Sequence, residues 1–231
     1  MITSFADDKF HWLNPPELWS ASLEEGDSVH GYSVSENGAQ LILKPPSHKD
    51  FWRKTFYTPL LVKSDAIGYM QSIPAPAKEV EMTCKVDFQY TPISQFDQAG
   101  MLIYVDDSHW MKCGIEYCDG STRLSVVVCN GYSDWSTEIW QSKEVRLKVH
   151  TVSQSSSIVV EAASVGFNDY RFIRIAHLQS VVNEDNDPLD WQVGVFAACP
   201  GEQRGCVATF SQFSLGPREA SSHNPDLDSH H

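Results

Sequence analysis

The sequence predicts an all-β fold, a sandwich or barrel of antiparallel strands, and three observations carry that reading. No window of about 11 residues or more has apolar residues at helical spacing. Short segments that alternate apolar and polar residues recur along the chain, with turn residues between them. The run from Asp97 to Trp135 reads as three antiparallel strands joined by two tight turns. At 231 residues the chain has a length that β-sandwiches commonly reach as one unit, and its 42% apolar residues can fill a sizeable core.

The elements follow in order. Residues up to about 37 contain Pro15-Pro16 and scattered Trp and Gly, and are expected to be an irregular lead-in. Ala39–Lys44 reads as a strand stopped by Pro45-Pro46. Asp50–Tyr57 is rich in aromatics and fits a strand or a rim loop. Glu79–Tyr90 alternates most cleanly: Val80, Met82, Cys84, Val86, Phe88 and Tyr90 face one way. Val145–Val149 repeats the pattern, with Arg146 and Lys148 outward. Ser156–Val165, Tyr170–Leu178, Trp191–Ala198 and Val207–Leu215 complete the set. Residues 1–218 are therefore expected to form a single domain. Residues 219–231, with His223, His230 and His231, read as a polar flexible tail.

Charge and composition exclude several function classes. The formal net charge is -13, from 17 basic and 30 acidic side chains, which disfavours nucleic acid and anionic membrane as partners. No apolar stretch approaches the roughly 20 residues that span a bilayer. The opening MITSFADDKFHW has neither the basic nor the apolar region of a secretory signal, so the expected location is the cytoplasm. Cys84, Cys113, Cys118, Cys129, Cys199 and Cys206 form no C-x-x-C pair and no common zinc spacing. They are expected to be reduced, mostly buried thiols, with no metal and no cofactor.

The central meander carries the candidate site. Asp106-Asp107-Ser108 and Asp119-Gly120 are its turns, and Asn130-Gly131 ends its third strand. Met111, Cys113, Ile115 and Tyr117 share the core face, while Trp110, Lys112, Gly114 and Glu116 share the other. Gly114 leaves a gap where a ligand or another backbone could approach. A two-residue turn at Asp119-Gly120 puts Arg123 opposite Glu116. Lys112, Glu116 and Arg123 are either a ligand site or a cross-strand charge cluster. Trp52, Trp110 and Trp135 could stack on a sugar or pack a rim. Asp97 and Gln98 could bind a ligand, although Asp before a tight turn is often a cap. Ser133-Asp134-Trp135 reads as a loop beside them.

These residues resemble a known family. D-Q-A-G at 97–100, W-M-K-C-G-I-E at 110–116, L-S-V-V-V at 124–128 and S-D-W-S at 133–136 look like a domain-of-unknown-function family. Its fungal namesake is the regulation of enolase protein. W-x-N-P at 12–15, D-F-W-R at 50–53, V-G-V-F-A-A-C-P at 193–200 and F-x-x-F at 210–213 extend the resemblance over most of the chain. It implies a concanavalin A-like jelly roll of two antiparallel sheets, one concave, shared with lectins and glucanases. It also implies intracellular members linked to sugar metabolism, with no settled activity.

Three functional readings follow. The first is a cytosolic, lectin-like binding or regulatory protein, with a sugar, a sugar phosphate or a metabolic enzyme on the concave sheet. The second is a glycosidase or lyase. Retaining glycosidases need two carboxylates about 5 Å apart. The E-x-D-x-x-E strand motif of laminarinase-like relatives is absent, and Glu116 has Gly114 and Lys112 in line rather than acids. Lys112 and Arg123 are expected to keep Glu116 ionised. The third is an isomerase or cyclase of fungal secondary metabolism with a shaped aromatic cleft. There is no G-x-S-x-G elbow, phosphate loop or dinucleotide fingerprint, and no catalytic residue is assigned.

Overall fold

The computed structural model describes residues 3–15, 31–74, 81–152, 156–203 and 206–222. Among them are sixteen strands, numbered in chain order, and no helix. The first sheet runs β1 (Phe10–Leu13), β6 (Ile67–Ile73), β15 (Trp191–Ala198), β8 (Gln98–Asp106), β9 (His109–Cys118), β10 (Ser121–Asn130) and β11 (Ser133–Ile139). The second runs β14 (Arg171–His177), β13 (Ser157–Ala163), β12 (Glu144–Val152), β7 (Met82–Thr91), β16 (Val207–Pro217), β3 (Gln40–Lys44) and β2 (Gly31–Val34). All pairings within both sheets are antiparallel. β15 lies between β6 and β8, and β16 between β7 and β3, so the chain crosses repeatedly from sheet to sheet. This is the jelly-roll sandwich that the family resemblance implied.

The main core lies between the sheets. Cys84, Val86 and Phe88 of β7 and Leu147 and Val149 of β12 pack with Met111, Cys113 and Ile115 of β9 and Val126 of β10. Period-two alternation explains these side chains directly. The turn between β9 and β10 is also as read: Asp119 and Gly120 both have positive φ, 52° and 78°. That is the conformation in which Asp-Gly closes a two-residue hairpin.

Several segments differ from the sequence reading. The lead-in contributes the edge strands β1 and β2, whose few residues carry too little alternation to register as strands. Ser133–Ile139 is not a loop but the edge strand β11, paired to β10 with Trp135 opposite Val127. An edge strand alternates weakly because one of its faces is only half covered. β6 carries the compact run Ile67–Ile73 that sequence inspection passed over. Tyr117 is only half-buried, at the end of its strand. Glu79 and Val80 of the expected strand, and Pro16, His223, His230 and His231, lie outside the described residues. Glu219 to Ser222, the start of the expected tail, run over the outer face of the second sheet: the Glu219 N–H donates to Thr83 Oγ1 at 2.7 Å.

One addition to the sandwich creates the site. The hairpin of β4 (Phe51–Arg53) and β5 (Val62–Ser64) lies over the outer face of the first sheet. Phe51, Ala66, Met70, Leu102, Trp110, Val127 and Phe196 form a second buried cluster beneath it. The face of β9 opposite the core is therefore covered at one end and open at the other.

Candidate functional site

The register of the first sheet brings the polar residues together in rows. Gln98, Glu116 and Arg123 lie side by side across β8, β9 and β10, and Leu102, Lys112 and Val127 form a neighbouring row. Between the rows, Gly100 faces Gly114. A Cβ on Gly114 would lie 2.0 Å from the Ala99 carbonyl oxygen. The gap at Gly114 therefore admits a backbone and not a ligand.

The floor of the cleft is tied to the hairpin above it. Lys112 Nζ, almost completely buried, pairs with Asp50 Oδ1 at 2.9 Å and donates to the Phe51 carbonyl at 2.6 Å. Gln98 Nε2 donates to Asp50 Oδ1 at 3.2 Å and to the Phe96 carbonyl at 3.1 Å. These bonds fix β4 over the sheet, so Lys112 and Gln98 position the roof as well as line the cavity. Trp52 Nε1 donates to the Thr55 carbonyl at 2.9 Å, and the Arg53 N–H donates to Ser133 Oγ at 2.9 Å, which pins the loop that follows.

Two adjoining chambers result. The inner one, of about 230 Å³, has Asp50, Gln98, Lys112 and Glu116 in its lining, with Trp52, Tyr57, Phe96 and Trp135 around them. The outer one, of about 570 Å³, shares those four aromatics and adds Phe56, Asp119 and Asp134. Trp52 and Trp135 meet edge to face at 6.2 Å, as do Trp52 and Tyr57 at 5.8 Å and Phe96 and Trp135 at 6.5 Å.

Glu116 sits at the centre, with Trp135 Nε1 donating to its Oε2 at 3.1 Å. Burial raises its pKa, and the opposing influences of Lys112 and of hydrogen bonds from Ser125 and Trp135 do not cancel this. Burial, rather than neighbouring bases, therefore sets the direction of the shift at Glu116. Lys112 is engaged by Asp50, and Arg123, although opposite Glu116 in register, turns to the Cys118 carbonyl and Thr137 Oγ1. Burial and the charges of Asp50 and Glu116 also raise the pKa of Tyr57.

A pH dependence follows. A carboxyl whose folded pKa lies above its ordinary 4.5 contributes stability that is fully present below pH 4.5 and lost as pH rises through the folded value. Glu116→Gln is expected to remove that loss, so its stability relative to the parent rises with pH above about 4.5. Urea denaturation of both proteins at pH 4, 5, 6 and 7 checks this; parallel stability curves would contradict it.

The structure thus gathers Trp52, Gln98, Lys112, Glu116, Asp134 and Trp135 at the cleft and leaves three expected residues elsewhere. Trp110 is fully buried against Phe51, with ring centroids 5.8 Å apart, because the hairpin covers that end of β9. Arg123 lines neither chamber. Asp97 is a turn cap: its Oδ2 accepts from the Ile93 and Ser94 N–H groups at 2.7 and 2.8 Å. Its side chain lies within 4.8 Å of the Cys199 and Cys206 sulfurs, but its oxygens are already hydrogen-bonded, and Cys199 Sγ donates to the Gln203 carbonyl at 2.9 Å. All six cysteines are free and buried. Asp50, Tyr57, Phe96 and Phe56 were missed as site residues. The aromatic run from Phe51 to Tyr57 is a sequence signal for Phe56 and Tyr57; Asp50 borders it, and no such signal marks Phe96.

Comparison with known proteins supports the same architecture. The chain is 29% identical over 204 residues to "Regulation of enolase protein 1" of Saccharomyces cerevisiae, covering 88% of this chain and 87% of that protein. A crystal structure of a functionally unknown protein from Saccharomyces cerevisiae matches with a TM-score of 0.72 at 27% identity, covering 94% of this chain and all of that one. The GH43 BlXynB protein of Bacillus licheniformis matches at 0.59 and 17% identity, over 81% of this chain and 35% of the larger one, which shows a shared fold alone. Residues 12–218 match a family described as "Protein of unknown function (DUF1349)", and the chain belongs to that family.

Proposed function

We propose that this protein is a lectin-like binding protein that takes a neutral saccharide into the inner chamber on the outer face of its first sheet. The observation that carries the reading is the pairing of aromatic walls with a polar floor: Trp52, Tyr57, Phe96 and Trp135 surround Asp50, Gln98, Lys112 and Glu116. Aromatic faces suit the C–H surfaces of a sugar ring, and a few converging polar groups fix its hydroxyls. The charge balance favours neutral sugars over sugar phosphates. Lys112 is neutralised by Asp50 and Arg174 by Asp134, while Asp119 lines the entrance. Free, buried cysteines suit a reducing compartment, and we take the cytoplasm as its location. The name of the yeast relative links that protein to regulation of enolase, and a regulatory role in carbohydrate metabolism is part of this proposal.

Thermal-shift measurements across neutral mono- and disaccharides and their phosphates test it. A neutral sugar is expected to raise the Tm, and Trp135→Ala to weaken its binding at least about tenfold. No shift from any compound, or larger shifts from the phosphates, would refute the reading.

One observation favours a second reading, a glycosidase or lyase. Glu116 has its pKa raised by burial, while Asp50 in the same chamber accepts hydrogen bonds from Lys112, Gln98 and the Phe51 N–H. Two carboxyls in such unlike surroundings are what acid–base cleavage of a glycosidic bond requires. Release of nitrophenol from nitrophenyl glycosides, lost in Glu116→Gln, would establish it.

A further inference from the structure

The two chambers differ in chemistry, and the difference bears on what is attached to the sugar. Asp50, Gln98, Lys112 and Glu116 line the inner chamber only. The outer chamber's polar side chains, like those of the inner one, have partners within the protein, and what it adds is one more aromatic ring, Phe56. Asp134 pairs with Arg174 at 2.7 Å, Asp119 accepts from Gln95 at 2.9 Å, and Ser133 Oγ accepts from the Arg53 N–H. The aromatic faces of the outer chamber carry no such commitment.

Phe56 marks this chamber further. It is 88% exposed, and its φ of 73° places a bulky side chain in the left-handed region. Lys54, two residues earlier, has a φ of 63°. Exposing an aromatic ring and straining the backbone that holds it both cost free energy, and core packing compensates neither. The ring stands at the outer chamber, edge to face with Tyr57 at 5.4 Å.

We infer that the outer chamber is a subsite for an apolar substituent, so that the ligand class is an aryl or alkyl glycoside rather than a free sugar or an oligosaccharide. This rests on the reading of the inner chamber as a sugar site. A second sugar unit would cover the exposed Phe56 ring with a surface that carries hydroxyls, and these would lose partners they have in water. An aryl or alkyl group loses nothing of that kind and covers Phe56 and the shared aromatics.

The test is a fluorescence titration of the full chain with matched methyl and phenyl pyranosides of glucose, galactose, mannose and xylose. Xylotriose and the neutral apolar probe N-phenyl-1-naphthylamine are titrated in parallel. A phenyl pyranoside is expected to bind at least about tenfold more tightly than its methyl counterpart, and Phe56→Ala to close that gap. The exposed ring supports no core packing, so the variant will fold. Equal affinities for the two pyranosides, or tighter binding of xylotriose, would overturn the inference. A probe that stays dark while methyl pyranosides bind would refute the apolar subsite and leave the sugar reading intact. Probe binding that is lost in Phe56→Ala, with no pyranoside bound, would refute the sugar reading and support the apolar subsite.

Discussion

Glu161→Ala is expected to lower stability by about 3–5 kcal/mol, because it leaves buried donors without their acceptor. Glu161 lies on β13, fully buried, on the face turned away from the core. Its Oε2 pairs with Lys148 Nζ at 2.9 Å and accepts from His150 Nε2 at 2.6 Å. Its Oε1 accepts from Ser221 Oγ and from the Ser222 N–H and hydroxyl. His150 Nδ1 in turn accepts from Thr83 Oγ1 at 2.8 Å, which ties β12 to β7. Burial alone would raise the pKa of Glu161; hydrogen bonds from Ser222, Lys148 and His150 overcome it and hold the carboxyl at about 2. A pKa held that far below 4.5 contributes about 3 kcal/mol, present above pH 4.5 and lost as pH falls toward 2. For a chain of this length the loss corresponds to a Tm lower by about 10 °C. Calorimetry of the parent, Glu161→Ala and Glu161→Gln at pH 7 checks it, with the amide variant losing less because its oxygen still accepts. A decrease under about 1 kcal/mol for the alanine variant would contradict the network. Truncation after Arg218 is expected to fall between parent and alanine variant, since it removes the Ser221 and Ser222 donors and keeps Lys148 and His150.

Gly114→Val is expected to cost more than about 3 kcal/mol and to abolish ligand binding. A Cβ at Gly114 would sit 2.0 Å from the Ala99 carbonyl oxygen and 2.7 Å from the Gly100 Cα. The obstacle is the backbone of β8, which lies between β15 and β9 and cannot yield without breaking ladder hydrogen bonds on both sides. Gly100 meets the reciprocal obstacle, the Cys113 carbonyl at 2.0 Å. The close approach at this glycine pair lies between the row that carries Lys112 and the row that carries Gln98 and Glu116, so forcing the strands apart would separate the cleft floor as well. Gly216→Ala is the control. It lies in β16 with nothing within 4 Å of an added Cβ, and is expected to change stability by less than about 0.5 kcal/mol. Urea denaturation of the three proteins distinguishes a specific clash from a general cost of replacing strand glycines.

The parts of this architecture that depend on local pattern are legible in the sequence. Alternation along Met111–Ile115 separates core from cleft, and Asp119-Gly120 fixes a turn that places Arg123 opposite Glu116. What was not legible depends on distant chain. Asp50 reaches Lys112 across 62 residues because a hairpin folds over the sheet, and no spacing rule predicts that contact. The same hairpin buries Trp110 on a face that alternation alone assigns to solvent. Arg123 occupies its expected register, but a shared row on a sheet does not fix where a long side chain turns, and here it turns to Cys118 and Thr137. Asp97 shows the opposite case: it caps a turn by local hydrogen bonds, and the turn, at residues 93–96, precedes it.

A crystal structure of the full chain grown with the neutral saccharide that gives the largest thermal shift tests directly whether the inner chamber holds the sugar. A sugar ring is expected in the inner chamber, against Trp52, Tyr57 or Trp135 and within hydrogen-bond distance of Glu116 or Gln98. A sugar bound on the outer face of the second sheet, with the inner chamber filled by side chains, would contradict it.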